Sequence, residues 1–386
     1  MSGDALSLTG PDAGPSPREE TLLVLGGGMC GLTAAVEAAE CGLRVHLVDP
    51  APRLGGRVAR MASYFPKFCP PACGLELLLA RALCQPRLAV HLSRRLAAHA
   101  LRDARHELTI CPVDAPAGDA TDAVARLCGD AIIVATGWQP YPLERLAQRG
   151  ACHPLCLSNV ELEERLAADS PGGGELLRPD TGEPPQRMAF VQCAGSRDAG
   201  HLPYCSAVCC AATLKHCRLL LERYPALRID VYYMDVRTPG RLFLLRERLA
   251  PYEAAGRLRF LPARPPRAVP HADGLSLPTE RTDSGEHLAL VYDLVVWATG
   301  MPPSLAPHVA GRDLALPLLH LDERGFAADS PKHGIFAAGC ARRPMNVSES
   351  ARSGAAAVMR ALAFLQTRRT SAVPLPAGEA RGDRHA

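Results

Sequence analysis

Thr21-Leu22-Leu23-Val24-Leu25-Gly26-Gly27-Gly28-Met29-Cys30-Gly31 decides the fold. A short apolar strand runs into a glycine turn, and a helix over about Cys30 to Cys41 follows. A second strand, Arg44 to Val48, ends at Asp49, so residues 21–49 read as one β-α-β unit. Gly26, Gly28 and Gly31 fill the G-x-G-x-x-G positions. The first allows the tight turn, the second lets a pyrophosphate approach the backbone, and the third lets helix and strand pack closely. The helix N-terminus offers unpaired N–H groups to phosphates. Asp49, 18 residues beyond Gly31, is placed to accept hydrogen bonds from a ribose.

Working outward, residues 86–136 read as short strands and turns, ending in the apolar strand Asp130 to Ala135 and the turn Thr136-Gly137. Ser170 to Gln186 is an exposed loop. A second α/β segment begins at Arg187, with a strand (Met188 to Gln192), a helix (about Ser206 to Glu222) and a strand (Arg228 to Met234). Residues 264–285 read as an irregular excursion. The strand Leu294 to Ala298 and Thr299-Gly300 repeat the Ala-Thr-Gly pattern. Gly339-Cys340 and an Ala-rich helix, about Ser348 to Leu365, close the pattern. Residues 1–18 and 369–386 are expected to be disordered.

The chain has 386 residues and 47% apolar composition, enough for two domains with cores of their own. A net charge of +3 gives no electrostatic case for nucleic acid. Lys67, Lys215 and Lys332 are the only lysines in an arginine-rich chain. The polar, Gly/Pro-rich start has no signal core, so the 15 cysteines fit a reducing, cytoplasmic compartment and read as metal ligands or redox groups. No run of about 18 apolar residues predicts a membrane span.

Cys193, Cys205, Cys209 and Cys210 carry the most information. Cys193 ends a strand, and the other three fall around the start of the next helix, where Cys205 and Cys209 would share a face. Strand end and helix start define the ligand crevice of such a domain. A second nucleotide fingerprint belongs there, yet Gln192-Cys193-Ala194-Gly195-Ser196-Arg197-Asp198 holds no G-x-G-x-x-G. Four soft ligands suit an iron–sulfur cluster, with zinc as the alternative. Cys69 and Cys73 lie downstream of Gly55-Gly56-Arg57 and form a candidate redox pair. His216 reads as a surface or second-shell residue, and no Ser/His/Asp or paired-carboxylate constellation is present.

Gly55-Gly56-Arg57 resembles the element lying along FAD in the large flavoprotein families, and Gly339-Cys340 resembles the second flavin contact of glutathione-reductase-like folds, with Cys in place of the usual Asp. The expected fold class is therefore α/β, with two dinucleotide-binding-type domains of the glutathione/thioredoxin-reductase kind. A discontinuous FAD domain (19–150 and 291–368) is interrupted by a second α/β domain (151–290) carrying the four cysteines. Flavin contacts are expected from Gly26, Gly28, Gly31, Asp49, Gly55, Gly56, Arg57, Thr136, Gly137, Gly339 and Cys340.

Leu25-Gly26-Gly27-Gly28, Leu54-Gly55-Gly56-Arg57, Tyr64-Phe65-Pro66, Val191-Gln192-Cys193-Ala194-Gly195-Ser196-Arg197-Asp198, Pro203-Tyr204-Cys205-Ser206 and Val208-Cys209-Cys210 resemble the A-subunits of heterodisulfide reductases over roughly residues 20–365. Within that superfamily, Arg57-Val58-Ala59-Arg60-Met61, Cys69-Pro70-Pro71-Ala72-Cys73-Gly74-Leu75-Glu76 and Arg237-Thr238-Pro239-Gly240-Arg241-Leu242 are most similar to the A-subunit of the quinone-interacting membrane-bound oxidoreductase complex. The resemblance implies FAD and a 4Fe–4S cluster on Cys193, Cys205, Cys209 and Cys210. It also implies electron exchange between adenylylsulfate reductase and a membrane quinone module through sister subunits, with the chain peripheral to the inner membrane. An NAD(P)H-dependent FAD disulfide oxidoreductase and a flavoprotein with structural zinc are the rival readings.

Overall fold

The computed structural model describes residues 19–65, 67–115, 124–305, 314 and 316–372; the expected disorder at 1–18 and beyond 372 lies outside them. The first unit opens with β1 (Thr21–Leu25), α1 (Met29–Glu40) and β2 (Arg44–Val48), as the glycine pattern requires. There follow α2 (Ala72–Leu83), β3 (Leu88–His91), β4 (Arg94–Arg102), β5 (Arg105–Pro112), β6 (Ala125–Gly129) and β7 (Ala131–Val134). Every residue of β1 is buried because both faces of its sheet are covered. Leu22 and Val24 point into the core shared with the helices, whereas Leu23 and Leu25 point into the core under β4, β5 and β6.

The second unit holds β8 (Cys156–Ser158), α3 (Asn159–Leu166), β9 (Arg187–Ala194), α4 (Cys209–Arg223) and β10 (Arg228–Tyr233). It continues through α5 (Phe243–Glu247), α6 (Ala250–Ala254), β11 (Leu258–Pro262), β12 (Val269–His271), β13 (Gly274–Glu280), β14 (His287–Tyr292) and β15 (Leu294–Thr299). The chain then returns through β16 (His320–Leu321), β17 (Ala327–Ala328), β18 (Ile335–Ala337) and α7 (Val347–Ala372). Two five-stranded parallel sheets result, in the orders β18-β7-β1-β2-β3 and β11-β10-β9-β15-β8. Each is accompanied by a three-stranded antiparallel sheet, β4-β5-β6 or β12-β13-β14, so the units share one plan.

Three expectations change. The strand at Leu294 lies in the second sheet, paired with β9 and β8, and Tyr141 and Leu146 belong to the second core. The second unit therefore begins near residue 140 and ends near 300, outside the boundaries drawn at 150/151 and 290/291. Residues 264–285 are the β12–β13 arm of a regular meander rather than an irregular excursion. The last helix continues to Ala372, past the expected end at Leu365 and into the tail expected from 369.

The crossings between units are short and adjacent. Gln139 N donates to Pro302 O at 3.0 Å, Ser304 N donates to Gly137 O at 3.1 Å, and Trp138 bridges Pro303 in antiparallel sense. The two Ala-Thr-Gly turns thus stand side by side.

One prediction arises in the first unit. His106 on β5 is buried, donates from Nε2 to His333 O at 2.7 Å, and lies 2.9 Å from His99 Nε2. Burial pushes its ring down to about 4 from 6.5, against the hydrogen bond to His333. Above pH 6.5 the ring is neutral in both states. Below it, the unfolded chain takes the proton first, so stability falls until about pH 4, by about 3 kcal/mol in all. His106→Gln should flatten the urea-midpoint profile across that window relative to wild type. Parallel profiles would refute the assignment.

Candidate functional site

The glycine loop is built for close approach. Gly26 has φ +109°, and a Cβ there would meet Ala135 O at 2.4 Å. A Cβ on Gly31 would meet Gly26 O at 1.8 Å, so only glycine lets α1 press on the loop. Gly28 is different: the one atom near its missing Cβ is Gly56 Cα at 3.9 Å. Gly55 N donates to Gly27 O at 2.9 Å, which lays Gly55-Gly56 along the loop. Gly28, the N-cap of α1, has no side chain to cap the helix. The first N–H groups of α1 therefore face an open glycine surface, the arrangement that holds a phosphate.

Asp49 is drawn to the same loop. Its carboxylate accepts from Gly27 N at 2.5 Å and from Ala51 N at 2.7 Å, while burial raises its pKa against those two bonds. A carboxylate has lone pairs beyond those two bonds. Arg57 donates to Trp138 O at 3.1 Å and Gln139 Oε1 at 2.8 Å, tying the Gly-Gly-Arg segment to the crossing. Thr136 Oγ1 is buried without a hydrogen-bond partner, whereas the matching Thr299 Oγ1 is satisfied by Asn159 at 2.9 Å. An orphan hydroxyl, an uncapped helix and an open glycine together fit a dinucleotide at the first site.

The late turn reaches the same place. A Cβ on Gly339 would meet Cys30 Sγ at 2.8 Å, and one on Gly354 of α7 would meet Cys30 O at 2.3 Å. Cys340 is buried with its thiol on Met345 O at 3.5 Å. What this turn offers a ligand is backbone, since the residue in place of the usual Asp points inward.

In the second unit, Cys193 sits at the end of β9 with φ +56°, a conformation costly for a non-glycine residue. Arg197 (φ +55°) and Ala207 (φ +56°) share that strain in the loop to α4. Cys209 and Cys210 are the first residues of α4, so the expected helix start at Ser206 moves forward and Cys205 lies in the loop. The shared-face reading of Cys205 and Cys209 is thereby withdrawn. Proximity comes from the loop instead. Cys209 lies within hydrogen-bond reach of Cys210, and the charges of Cys193 and Cys205 both bear on it. The Cys209–Cys210 contact, with burial, raises Cys209 well above the usual thiol range; the same contact lowers Cys210 to about 7. Among the described residues, no three His, Cys, Asp or Glu side chains stand at metal-holding spacing. The donor set fits an iron–sulfur or zinc site in the chemistry of its four thiols and in its place at a strand end and helix start.

Cys69 and Cys73 are neighbours at the start of α2, and the proximity of Cys69 raises the pKa of Cys73. Phe68, at φ +60°, stacks under Arg218 of α4 at 4.3 Å, so this loop rests on the cysteine helix. Apart from Cys30 and Cys340, neighbours at the late turn of the first site, the remaining cysteines show no such grouping around either site.

The sequence missed one constellation. Glu163 of α3 accepts from Lys215 Nζ, from His216 Nε2 at 2.5 Å and from Ala62 N at 2.8 Å; Lys215 also donates to Ser63 O at 2.9 Å. All three side chains are buried, so His216 is not a surface residue. Burial opposes charge on Glu163, but His216 and Lys215 outweigh it and hold the carboxyl well below its usual range. Burial lowers the pKa of the His216 ring against the pull of Glu163, and its Nδ1 has no partner. A lysine retained among so many arginines was the available signal.

The two sites meet at a small apolar contact. Met301, Cys340 and Met345 pack with Trp138 and Val208, the residue before Cys209. Met301 N donates to Ser206 Oγ at 2.7 Å, seating the second Ala-Thr-Gly turn on the cysteine loop.

This plan is that of the two-domain dinucleotide-binding disulfide reductases. Residues 24–69 match the NAD(P)-binding Rossmann-like domain family. Thioredoxin reductases of Lactococcus lactis (15% identity, TM-score 0.55) and T. acidophilum (14%, 0.55) superpose on 90% and 91% of the chain and over 100% of their own length. The chain is similar over most of its length to heterodisulfide reductase A-subunits. It is 27% identical to the A-subunit of the ferredoxin:CoB-CoM heterodisulfide reductase of Methanosarcina mazei, across 94% of this chain and 55% of that protein. It is 24% identical to a protein of Archaeoglobus profundus that is itself like the heterodisulfide reductase A-subunit, across 92% and 68%. The chain thus spans a little over half of the first of these relatives. No helix among the described residues is long and apolar enough to cross a membrane.

Proposed function

We propose that the chain is an electron-transfer component carrying FAD and a 4Fe–4S cluster. In this reading it works within a heterodisulfide-reductase-like complex, between adenylylsulfate reductase and a membrane quinone module. Sister subunits join it to both, and it sits on the cytoplasmic side of the inner membrane without spanning it. The observation that carries the reading is the Met301–Cys340–Met345 contact, which runs from the turn beside the glycine loop to the residue before Cys209.

FAD would supply exchange between two-electron and one-electron transfer, and the cluster would pass single electrons. Gly26, Gly28 and Gly31 with the N-terminus of α1 would bind the pyrophosphate, and Asp49 the ribose. Gly55, Gly56 and Arg57 would lie along the cofactor, while Thr136, Gly137, Gly339 and the Cys340 backbone would close over it. Cys193, Cys205, Cys209 and Cys210 would ligate iron, with the partial positive charge at the start of α4 favouring thiolates.

The adjacent thiols of Cys69 and Cys73 support a second reading, an NAD(P)H-dependent disulfide oxidoreductase in which they cycle as the redox pair. Against it stands the second unit, whose nucleotide position is taken by cysteines.

Anaerobic purification should return about one FAD and about four iron per chain, with a dithionite-reduced EPR signal. Cys209→Ala should lose the signal and keep the flavin. Zinc in place of iron, or no metal, would overturn the electron-transfer reading. Rapid flavin reduction by NADH or NADPH would favour the second.

A further inference from the structure

Arg197, Asp235 and Arg237 surround the cysteine site without belonging to it. Arg197 Nη1 lies 4.0 Å from Cys193 Sγ and forms an ion pair with Asp235 Oδ1. Arg237 Nε donates to the other carboxylate oxygen of Asp235 at 2.7 Å. Cys210 Sγ lies 4.0 Å from the Asp235 backbone oxygen. Two of the four thiols, Cys193 and Cys210, are therefore each approached to 4.0 Å by one member of the group, and Cys205 bears electrostatically on Arg237. One carboxylate against two guanidiniums leaves one positive charge in surplus beside the sulfurs. Arg197 holds this place in a left-handed backbone conformation, as do Cys193 at the end of β9 and Ala207 in the same loop.

We propose that Arg197, Asp235 and Arg237 form a charge clamp that sets the reduction potential of a cluster held by Cys193, Cys205, Cys209 and Cys210. The inference rests on the cluster reading above. Adding an electron to a thiolate-bound cluster adds negative charge, so adjacent guanidiniums favour the reduced form and Asp235 opposes it. Arg197, with 27% of its side chain exposed, is less screened than Arg237 at 46% and carries the larger share.

EPR-monitored redox titration of the full anaerobic chain tests this, with iron content measured on every sample. Arg197→Gln should lower the one-electron reduction constant about tenfold, or about 59 mV. Arg237→Gln should lower it less, Arg197→Lys should restore most of the wild-type value, and Asp235→Asn should shift it upward. Opposite signs for the arginine and aspartate variants identify charge, because loosened packing would not reverse sign with the charge removed. Iron-replete variants whose potentials agree within about twofold in that constant, or all move one way, overturn the clamp alone. A wild-type chain without iron overturns the cluster reading and the clamp with it.

Discussion

Glu163→Ala should cost about 3–5 kcal/mol of stability, the largest loss expected from one side chain here. Removing the carboxylate leaves Lys215, only 3% exposed, with Ser63 O as its remaining partner. It also frees the Ala62 and Ser63 N–H groups and the His216 Nε2–H inside the core. Each stranded donor carries its full desolvation cost. The effect should extend beyond stability, because residues 62 and 63 lead into the loop of Cys69 and Cys73 while Lys215 sits on the helix that starts with Cys209. Urea unfolding with tryptophan fluorescence reads the first effect, and thiol alkylation rates at Cys69 and Cys73 read the second. Replacing both charges by apolar residues, Glu163→Leu with Lys215→Met, should recover much of the loss, since no lone charge then remains buried. A single-variant loss below about 1 kcal/mol would mean the three side chains are not paired in solution.

The second large effect is on cofactor retention, and it separates two glycines that look alike in sequence. Gly28→Ala adds a methyl where the nearest atom is 3.9 Å away, at an ordinary negative φ of −74°. The fold should absorb it with a change within about 0.5 kcal/mol. The methyl occupies the surface where a pyrophosphate must approach, so bound flavin should fall at least about tenfold. Gly31→Ala places its methyl 1.8 Å from Gly26 O, and backbone cannot yield there without moving α1. That variant should lose both flavin and about 1–3 kcal/mol of stability. Flavin absorbance per chain and urea midpoints, taken together, decide the matter. A Gly28→Ala chain that keeps its full flavin would remove the glycine loop as the binding surface.

Much of the fold could be read from residues alone because parallel strands buried on both faces give continuous apolar runs. The runs at β1 and β7 fall within a residue or two of their predicted places for that reason, whereas β2, with Arg44 exposed and His46 half-buried, was read from its place in the β-α-β unit. The boundary at β15 was less legible. Its apolar run is the same whether it adds to the first sheet or the second, and only pairing with β9 decides. The meander β12–β14 was hidden by Pro270, Pro278 and Gly274, which read as breakers yet are tolerated where Pro270 lies on the edge strand and Pro278 lies beyond the reach of β12.

The candidate site was legible where glycine or cysteine spacing carries the chemistry, as at Gly26, Gly28 and Gly31. It was illegible where partners come from distant segments. Nothing local marks Glu163 as the counter-ion of Lys215 and His216, 52 and 53 residues on. Arg197 and Asp235 likewise meet only because β9 and β10 are neighbours.

The paired crossings at Gly137–Gln139 and Pro302–Ser304 have an evolutionary consequence. The two ends of the inserted unit are fastened to each other, so the cost of closing that long excursion is met within the linker itself. The host sheet is thereby spared much of that closure cost. A lineage could therefore alter the guest without first having to rebuild the host sheet.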